Sequence, residues 1–412
     1  MQIFPLGQWG EVISEVAEKT WFVSILANII AFETDAGLVL VDAGLRNFSP
    51  QMAKELRQRT TAPVHTAIYT HGHVDHAFGL DDFLVEGQPP PQVIGHRALP
   101  ARLKRYERTY RFQRTINARQ FFGASYDLVS PKESAEVDTA FRRPDWPPNI
   151  LYDSQLTIEV GQLTFELHHA RGETDDHTWV FCPQRGILCS GDLIIWVVPN
   201  AGNPQKVQRY PWDWAQALRE MAALHAPSLC PGHGPAVTGN PELVQRILLE
   251  TADYLDSVVE QTLDALENGA PPHVDIVRSL KIPTSDSPWL LPLYDEAEFI
   301  SRSVIRYYGG WFSGRPSELK PASRADVAKE IAGLAGGAVA LAERAQALSK
   351  TGELCLSCHL ADYALEAAPG DTHVNEIVAR IYEQRAASET SLMAIDLFRS
   401  AAAYARASRP FA

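Results

Sequence analysis

The sequence predicts an α/β domain over residues 1–270 followed by an all-helical domain. Three observations carry this reading. Short β-rich runs alternate with helical patterns through the first half. Around Pro241 the strand pattern stops. From Arg324 onward the chain is Ala-rich, 3.6-periodic and strand-free.

Taken in order, Val23–Glu33 and Gly37–Asp42 read as two strands about a Thr34-Asp35-Ala36-Gly37 turn. Residues 50–60 suit a helix. Ala67–Thr70 and Gln92–Gly95 are short strands. Residues 98–148 are rich in Arg, Tyr and Phe and read as an insertion, helical at first and looping later. Leu156–Val160 and Leu163–His168 pair across a Gly161-Gln162 turn. Trp179–Cys182 and Gly186–Cys189 are further strands. Trp212–His225 is an amphipathic helix with Leu218, Met221, Ala222 and Leu224 on one side. Ser228–Cys230 is the last strand, and Pro241–Glu267 is one long helix. Residues 271–321 hold seven prolines and read as an irregular but ordered arm. Trp289, Tyr294, Phe299, Tyr307, Tyr308, Trp311 and Phe312 would be costly to leave in water there. Residues 322–412 form the helical domain.

Composition narrows the function. The chain has 412 residues, 45% hydrophobic and 21% charged, with a net charge of −13. A balance so acidic argues against a nucleic-acid partner, because phosphate binding needs a basic surface. No run approaches the roughly 20 apolar residues of a membrane span. Met1 to Val12 has neither a basic n-region nor an apolar h-region, so no secretory signal is expected. Five cysteines make no disulfide framework, and a cytoplasmic location follows as the expectation.

The chemistry is concentrated in T-H-G-H-V-D-H, Thr70 to His76, directly after an apolar strand. Imidazole nitrogen and carboxylate oxygen are ligands that borderline metals such as zinc favour. A tight loop lets His71 and His73 reach one ion while Asp75 and His76 reach a second. Three later segments, each following a strand pattern, offer further ligands: A-R-G-E-T-D-D-H (170–177), C-S-G-D (189–192) and P-G-H-G-P about His233. Glycine beside each candidate permits the tight turns that would gather them. Strand ends converging on one edge of a sheet sandwich would make a dinuclear site.

This order and spacing resembles the metallo-β-lactamase superfamily, which implies an αββα sandwich. Carried over residue by residue, the resemblance implies His71, His73 and Glu173 at one metal, Asp75, His76 and His233 at the other, and Asp192 bridging. It further implies two divalent ions, zinc by expectation, with a water or hydroxide between them as nucleophile. The usual third string is P-G-H-T-x-G-H. Here R-G-E-T-D-D-H puts Glu173 at the ligand position and His177 at the second histidine, where a pocket or supporting role is expected. With three carboxylates and the hydroxide against two divalent ions, the inner charges cancel. An anionic substrate should then need cationic side chains nearby. Lys206 and Arg209 are candidates, with Arg114 and Arg119 in the insertion; guanidinium forks suit sulfate-like oxyanions. Asn117, Asn200, Asn203 and Gln205 are polar candidates for the same pocket.

Glu173 at this position, R-S-V-I-R-Y-Y-G-G-W-F-S-G-R-P-S-E-L-K-P (302–321) and A-G-L-A-G-G-A (332–338) resemble the alkylsulfatase branch and its dimerisation domain. The implied function is hydrolysis of an alkyl sulfate ester by a homodimer, with Asp75 and His177 as catalytic candidates beside the metals. Two alternatives stay open: the same metal centre acting on an uncharged ester, lactone or amide, and a non-catalytic assembly protein. Cys355-Leu356-Ser357-Cys358-His359 fits a haem-attachment string but falls in a helical pattern and is set aside. Cys182, Cys189 and Cys230 are expected in the core. His168 and His169 suit strand-end packing, His96 a possible pocket position, and Asp42 a turn or supporting role.

Overall fold

A computed structural model of the chain describes residues 12–124, 128–142, 144–269, 275–281, 285–409 and 411. Residues 1–11, read above for a leader, and residues 271–274 and 282–284 of the arm lie outside them. The chain forms two compact units: Met1–Tyr110 with Asp138–Gly310, and Arg111–Val137 with Trp311–Ala412. The expected arm is therefore divided between the units, and part of the insertion belongs with the C-terminal helices.

The first unit holds two sheets. One runs β1 (Ile13–Ala17), β2 (Thr20–Ser24), β3 (Asn28–Thr34), β4 (Gly37–Val41), β5 (Val64–Ile68), β6 (Gln92–His96) and β7 (Ile150–Tyr152), in that spatial order. β1 to β4 form an antiparallel meander, and β4 to β7 are parallel. The second sheet is ordered β12-β11-β10-β9-β8, with β8 (Gln155–Val160), β9 (Leu163–Ala170), β10 (His177–Cys182), β11 (Ile187–Gly191) and β12 (Ser228–Pro231). Strand composition follows position. Gly37–Val41 is buried throughout, as a central strand covered on both faces must be. The edge strand β8 instead alternates exposed and covered residues.

Between the sheets lies a core of Phe32, Val39, Val41, Ile68, Ile94, Phe165, Leu167, Val180 and the three strand cysteines. On the outer face of the second sheet, α6 (Pro211–Ala223) and α7 (Pro241–Glu267) pack through Trp214, Leu218, Met221, Ile247, Leu248 and Leu255. Burying such large side chains stabilises by about 1.5–3 kcal/mol each. On the outer face of the first sheet, α1 (Ser49–Arg57) buries Met52, Ala53 and Leu56. The result is the α-β-β-α layering expected.

Three expectations change. Val23–Glu33 is two strands, because the chain breaks at residues 25–27. The 98–148 insertion carries three helices, α3 (Leu99–Arg108), α4 (Tyr110–Phe122) and α5 (Pro131–Ala140), rather than a loop in its second half. The Pro-rich arm contains α8 (Asp275–Ser279) and a 13-residue helix, α9 (Ala297–Gly309). Of its aromatics, Trp289 and Tyr294 are buried, but Tyr307, Tyr308 and Trp311 are exposed, Trp311 by 70%.

The second unit is helical: α4 and most of α5, with α10 (Pro316–Leu319), α11 (Arg324–Leu334), α12 (Ala338–Lys350), α13 (Leu354–Ala367), α14 (Thr372–Ala387) and α15 (Leu392–Arg406). Its core is built of small residues, Ala342, Ala345, Ala361, Ala364, Ala402 and Ala405, about Leu341, Val374, Ile377 and Ile381. Ser323, Asp371 and Ser391 cap α11, α14 and α15 by accepting from first-turn N–H groups. Cys355 and Cys358 lie within α13.

Candidate metal centre

The ends of β5, β9, β11 and β12 deliver four loops to one edge of the sandwich. β5 leads through Thr70 into His71-Gly72-His73 and the single-turn helix α2 (Val74–Ala77). The loop after β9 carries Glu173. β11 leads to Asp192 and β12 to His233. Seven side chains form two donor groups: His71, His73, Glu173 and Asp192 in one, Asp75, His76 and His233 in the other. In the first, His71 Nε2 lies 2.8 Å from His73 Nδ1 and 3.7 Å from Asp192 Oδ2. His73 Nδ1 is 3.5 Å from Glu173 Oε1. In the second, His233 Nε2 is 3.5 Å from Asp75 Oδ2, and His76 Nε2 is 3.9 Å from the same oxygen. Asp192 Oδ1 reaches both histidines of this group, at 3.0 and 3.5 Å. Each oxygen of Asp192 thus faces a different group, an arrangement that would suit a carboxylate shared by two ions.

Two glycines make this possible. A Cβ on Gly232 would fall 2.1 Å from Asp192 Oδ1, so only glycine fits there. Gly191 turns the chain out of β11 at φ +51°, where its missing Cβ leaves room for His177 and Thr70.

Outer contacts fix the rings. Asp42, itself at φ +64°, accepts from Thr70 N, Thr70 Oγ1 and His76 Nδ1 at 2.7, 2.8 and 2.7 Å. It is the supporting residue expected. His233 Nδ1 donates to the Leu26 carbonyl at 2.8 Å, and His71 Nδ1 meets Thr70 Oγ1 at 3.0 Å. Each of these three rings therefore turns Nε2 to the centre. Asn28 donates its amide to the carbonyls of Pro231 and Gly234, both at 2.9 Å, pinning the His233 loop. Arg102 of α3 places Nη2 2.9 Å from His73 Nε2. Neither Asn28 nor Arg102 was singled out from sequence, since no local pattern marks partners 203 residues away for Asn28 or 29 away for Arg102.

The electrostatics suit cations. Burial first, then neighbouring positive groups, holds His71 and His73 well below the usual histidine range, so their lone pairs are free. Burial pushes the Glu173 carboxyl up to about 8, against the pull of Arg209 and with Asp192 and Asp75 adding to the rise. Burial opposes charging of His76 and His233, yet Asp192 and its neighbouring carboxylates raise both, His233 to about 10. His76 Nε2 and Asp192 Oδ1 are buried without a hydrogen-bond partner. Four imidazoles and three carboxylates in this arrangement, with buried donor atoms left over, fit two divalent ions.

The other candidates divide. His177 opens β10, buried, its ring stacked on His71 at 4.8 Å and 20°, both nitrogens without a hydrogen bond. Burial pushes it down to about 3, so it is a neutral ring supporting a ligand. Asn200 donates to Glu173 Oε1. Arg209 donates to the Glu173 carbonyl and lies 3.2 Å from Oε1. Both had been expected to meet substrate; the structure sets them to holding Glu173. Asn203 Nδ2 lies 3.4 Å from Asn200 Oδ1, and Asp295 accepts from the backbone of Gly202 and Asn203 to brace this loop. Lys206, half-buried, is pulled down to about 7 by burial and then Arg209, with Glu173 opposing. Asn117 and Arg119 belong to the helical unit, where Asn117 donates to Gln113 O and Arg119 donates to the Tyr404 hydroxyl and lies over Phe411. His96 stacks on His169 at 3.6 Å, and His168 on Trp179 at 3.9 Å.

Comparison with known proteins identifies the family. Residues 25–233 match the metallo-beta-lactamase superfamily, and residues 273–408 match alkyl sulfatase dimerisation. The chain is 23% identical over 368 residues to a linear primary-alkylsulfatase of a Pseudomonas species, covering 85% of this chain and 69% of the relative. It is 22% identical over 390 residues to the Saccharomyces cerevisiae alkyl/aryl-sulfatase BDS1, covering 87% of this chain and 58% of that one. Among solved structures, the stereoselective inverting sec-alkylsulfatase Pisa1 from Pseudomonas sp. aligns with a TM-score of 0.82 at 20% identity, over 97% of this chain and 66% of its own. That likeness establishes the shared fold. The chain spans between about three-fifths and two-thirds of the length of these relatives.

Proposed function

We propose that this chain, which belongs to the metallo-β-lactamase superfamily, is a dinuclear zinc hydrolase acting on an alkyl sulfate ester. The observation that carries the reading is the pair of donor groups joined by Asp192, with Glu173 in the third ligand seat and cations packed behind it. The alkylsulfatase relatives support the substrate class. Two divalent ions held there would supply Lewis acidity toward the ester oxygens and a water acidified toward neutral pH.

The chain's own residues do the rest. Arg209 and Asn200 fix Glu173 from one side. Asp42, Thr70 and the Leu26 carbonyl fix the histidines from the other. Asp75, its side chain 24% exposed, is the most open of the ligands. Asn203 and Lys206 supply polar contact to the sulfate. The helical unit carries the contacts of a homodimer, a role supported by the dimerisation match. Five free cysteines accord with a cytoplasmic site of action.

A second reading, an uncharged ester or lactone, is favoured by two observations: Arg209 is committed to Glu173, and Lys206 is drawn toward neutrality. A panel of alkyl sulfates and carboxylic esters of equal chain length separates the two. Release of inorganic sulfate, abolished by chelation, is the expected result; faster cleavage of the carboxylic esters, without sulfate release, contradicts it. Running the reaction in ¹⁸O-labelled water then assigns the broken bond, since label in the alcohol means C–O cleavage and label in sulfate means S–O cleavage.

A further inference from the structure

α3 presents an unusual inner face. Leu99, Arg102, Leu103 and Tyr106 are its buried residues, so a guanidinium sits among apolar side chains on the side turned to the metal ligands. Arg102 has two counter-charges, Asp175 Oδ1 at 3.6 Å and Asp176 Oδ1 at 3.7 Å, and its Nη2 also lies against the neutral ring of His73. Gly72 makes room for this, since a Cβ there would stand 3.0 Å from both the Arg102 stem and the Asp176 carboxylate.

Arg105 lies three residues on, along the same side of the helix. It is half-buried, and its Nε is enclosed with no hydrogen-bond partner. Among the described residues it has no carboxylate within ion-pair distance. After burial, Arg102 is the main influence lowering its pKa; Tyr106 and Asp175 oppose this, and Arg209 adds to it. Arg105 and Lys206 each feel both Arg102 and Arg209, so the four cations lie in one region, where Lys206 and Arg209 also feel Glu173. Three of them have commitments. Arg209 is held by Glu173 and Arg102 by Asp175 and Asp176, while Lys206 is drawn toward neutrality by its surroundings. A guanidinium stays protonated under such pressure. Once Asp75, Glu173 and Asp192 serve as metal ligands, their charge is spent on the ions, and the region is left with cations in excess. A half-buried guanidinium with no carboxylate within ion-pair distance is suited to receive an oxyanion.

We propose that Arg105 is a substrate-binding residue whose guanidinium, backed by Arg102, takes the anionic oxygens of the substrate's sulfate group. The inference rests on the alkyl sulfate reading above and extends it to a residue of the insertion helix.

The test is binding of inorganic sulfate to the metal-loaded protein, by calorimetry at constant ionic strength, in wild type, Arg105→Gln and Arg105→Lys. Removing a charged hydrogen bond should weaken sulfate about ten- to hundredfold in Arg105→Gln. Arg105→Lys, which keeps the charge but loses the fork, should fall between. Metal content and the melting temperature without sulfate should match wild type in both, which a merely structural role for Arg105 would not allow. With alkyl sulfates, KM should rise by the same factor, while cleavage of an uncharged ester should be unchanged. Equal sulfate affinity in wild type and Arg105→Gln, or no sulfate binding by wild type, overturns the inference. Arg105-dependent sulfate binding in a protein that hydrolyses no alkyl sulfate would keep the inference and sink the function. Full alkyl sulfate turnover by Arg105→Gln would do the reverse.

Discussion

Arg209 and Glu173 are both buried, and each is the other's main counter-charge. Breaking a buried pair by removing one partner leaves the other uncompensated, which costs about 3–5 kcal/mol. Arg209→Met should destabilise the metal-free protein by that amount in urea unfolding above about pH 8, where Glu173 is ionised. It should also weaken binding at the group containing His71 and His73, read as metal content after dialysis. His96 gives a pH prediction. Burial, then the stacked His169, pushes its pKa down to about 4 from 6.5. The native state therefore binds fewer protons than the unfolded state between these values, so the stabilising effect is full above pH 6.5 and is lost as pH falls through 4. His96→Phe should flatten that part of the stability curve relative to wild type; parallel curves for the two proteins would refute it. The ligands were legible in the sequence because metal chemistry restricts residue type and because the histidines cluster locally. Asn28, Arg102 and the Arg209–Glu173 pair were not, because each works through a contact between distant segments.

The loops at the strand ends set the geometry, and glycine is where they are least tolerant. Gly232→Ala would drive a methyl group into Asp192. The expected outcome is loss of the bridge: one ion or fewer per chain and turnover reduced at least a thousandfold, about 4 kcal/mol of barrier. Two ions and wild-type turnover in this variant would show that Asp192 does not bridge. The elements themselves were unevenly legible. α7 matches the expected Pro241–Glu267 because its apolar period is unbroken and Asn240 caps it, accepting from Leu243 N. The break between β2 and β3 was hidden inside a continuous apolar run. It has a physical reason: the interruption frees the Leu26 carbonyl to accept from His233. α9 was missed because flanking prolines coloured the whole stretch. Residues 297–309 contain none, and Ile300, Ser301, Val304 and Ile305 bury one face.

At the scale of the whole chain, the helical unit is discontinuous in sequence. Residues 111–137 join 311–412 across the intervening residues 138–310, and Arg119 lies against Tyr404 and Phe411. A reading along the chain assigns neighbours in sequence to one domain, so the insertion was counted with the first unit. Removing residues 311–412 should strip α4 of its partners, giving an unstable monomer. The intact protein should run at twice 45.6 kDa in light scattering. A stable, active monomer after that deletion would contradict the dimer role.

The two donor groups meet at Asp192, so neither is complete without the other, and catalysis should require both ions. The most direct measurement is a zinc titration of the metal-free protein with sulfate release from an alkyl sulfate as the readout. Activity should stay near background through the first equivalent per chain and rise to its plateau with the second. Full turnover at one equivalent, or with none, would contradict a dinuclear centre.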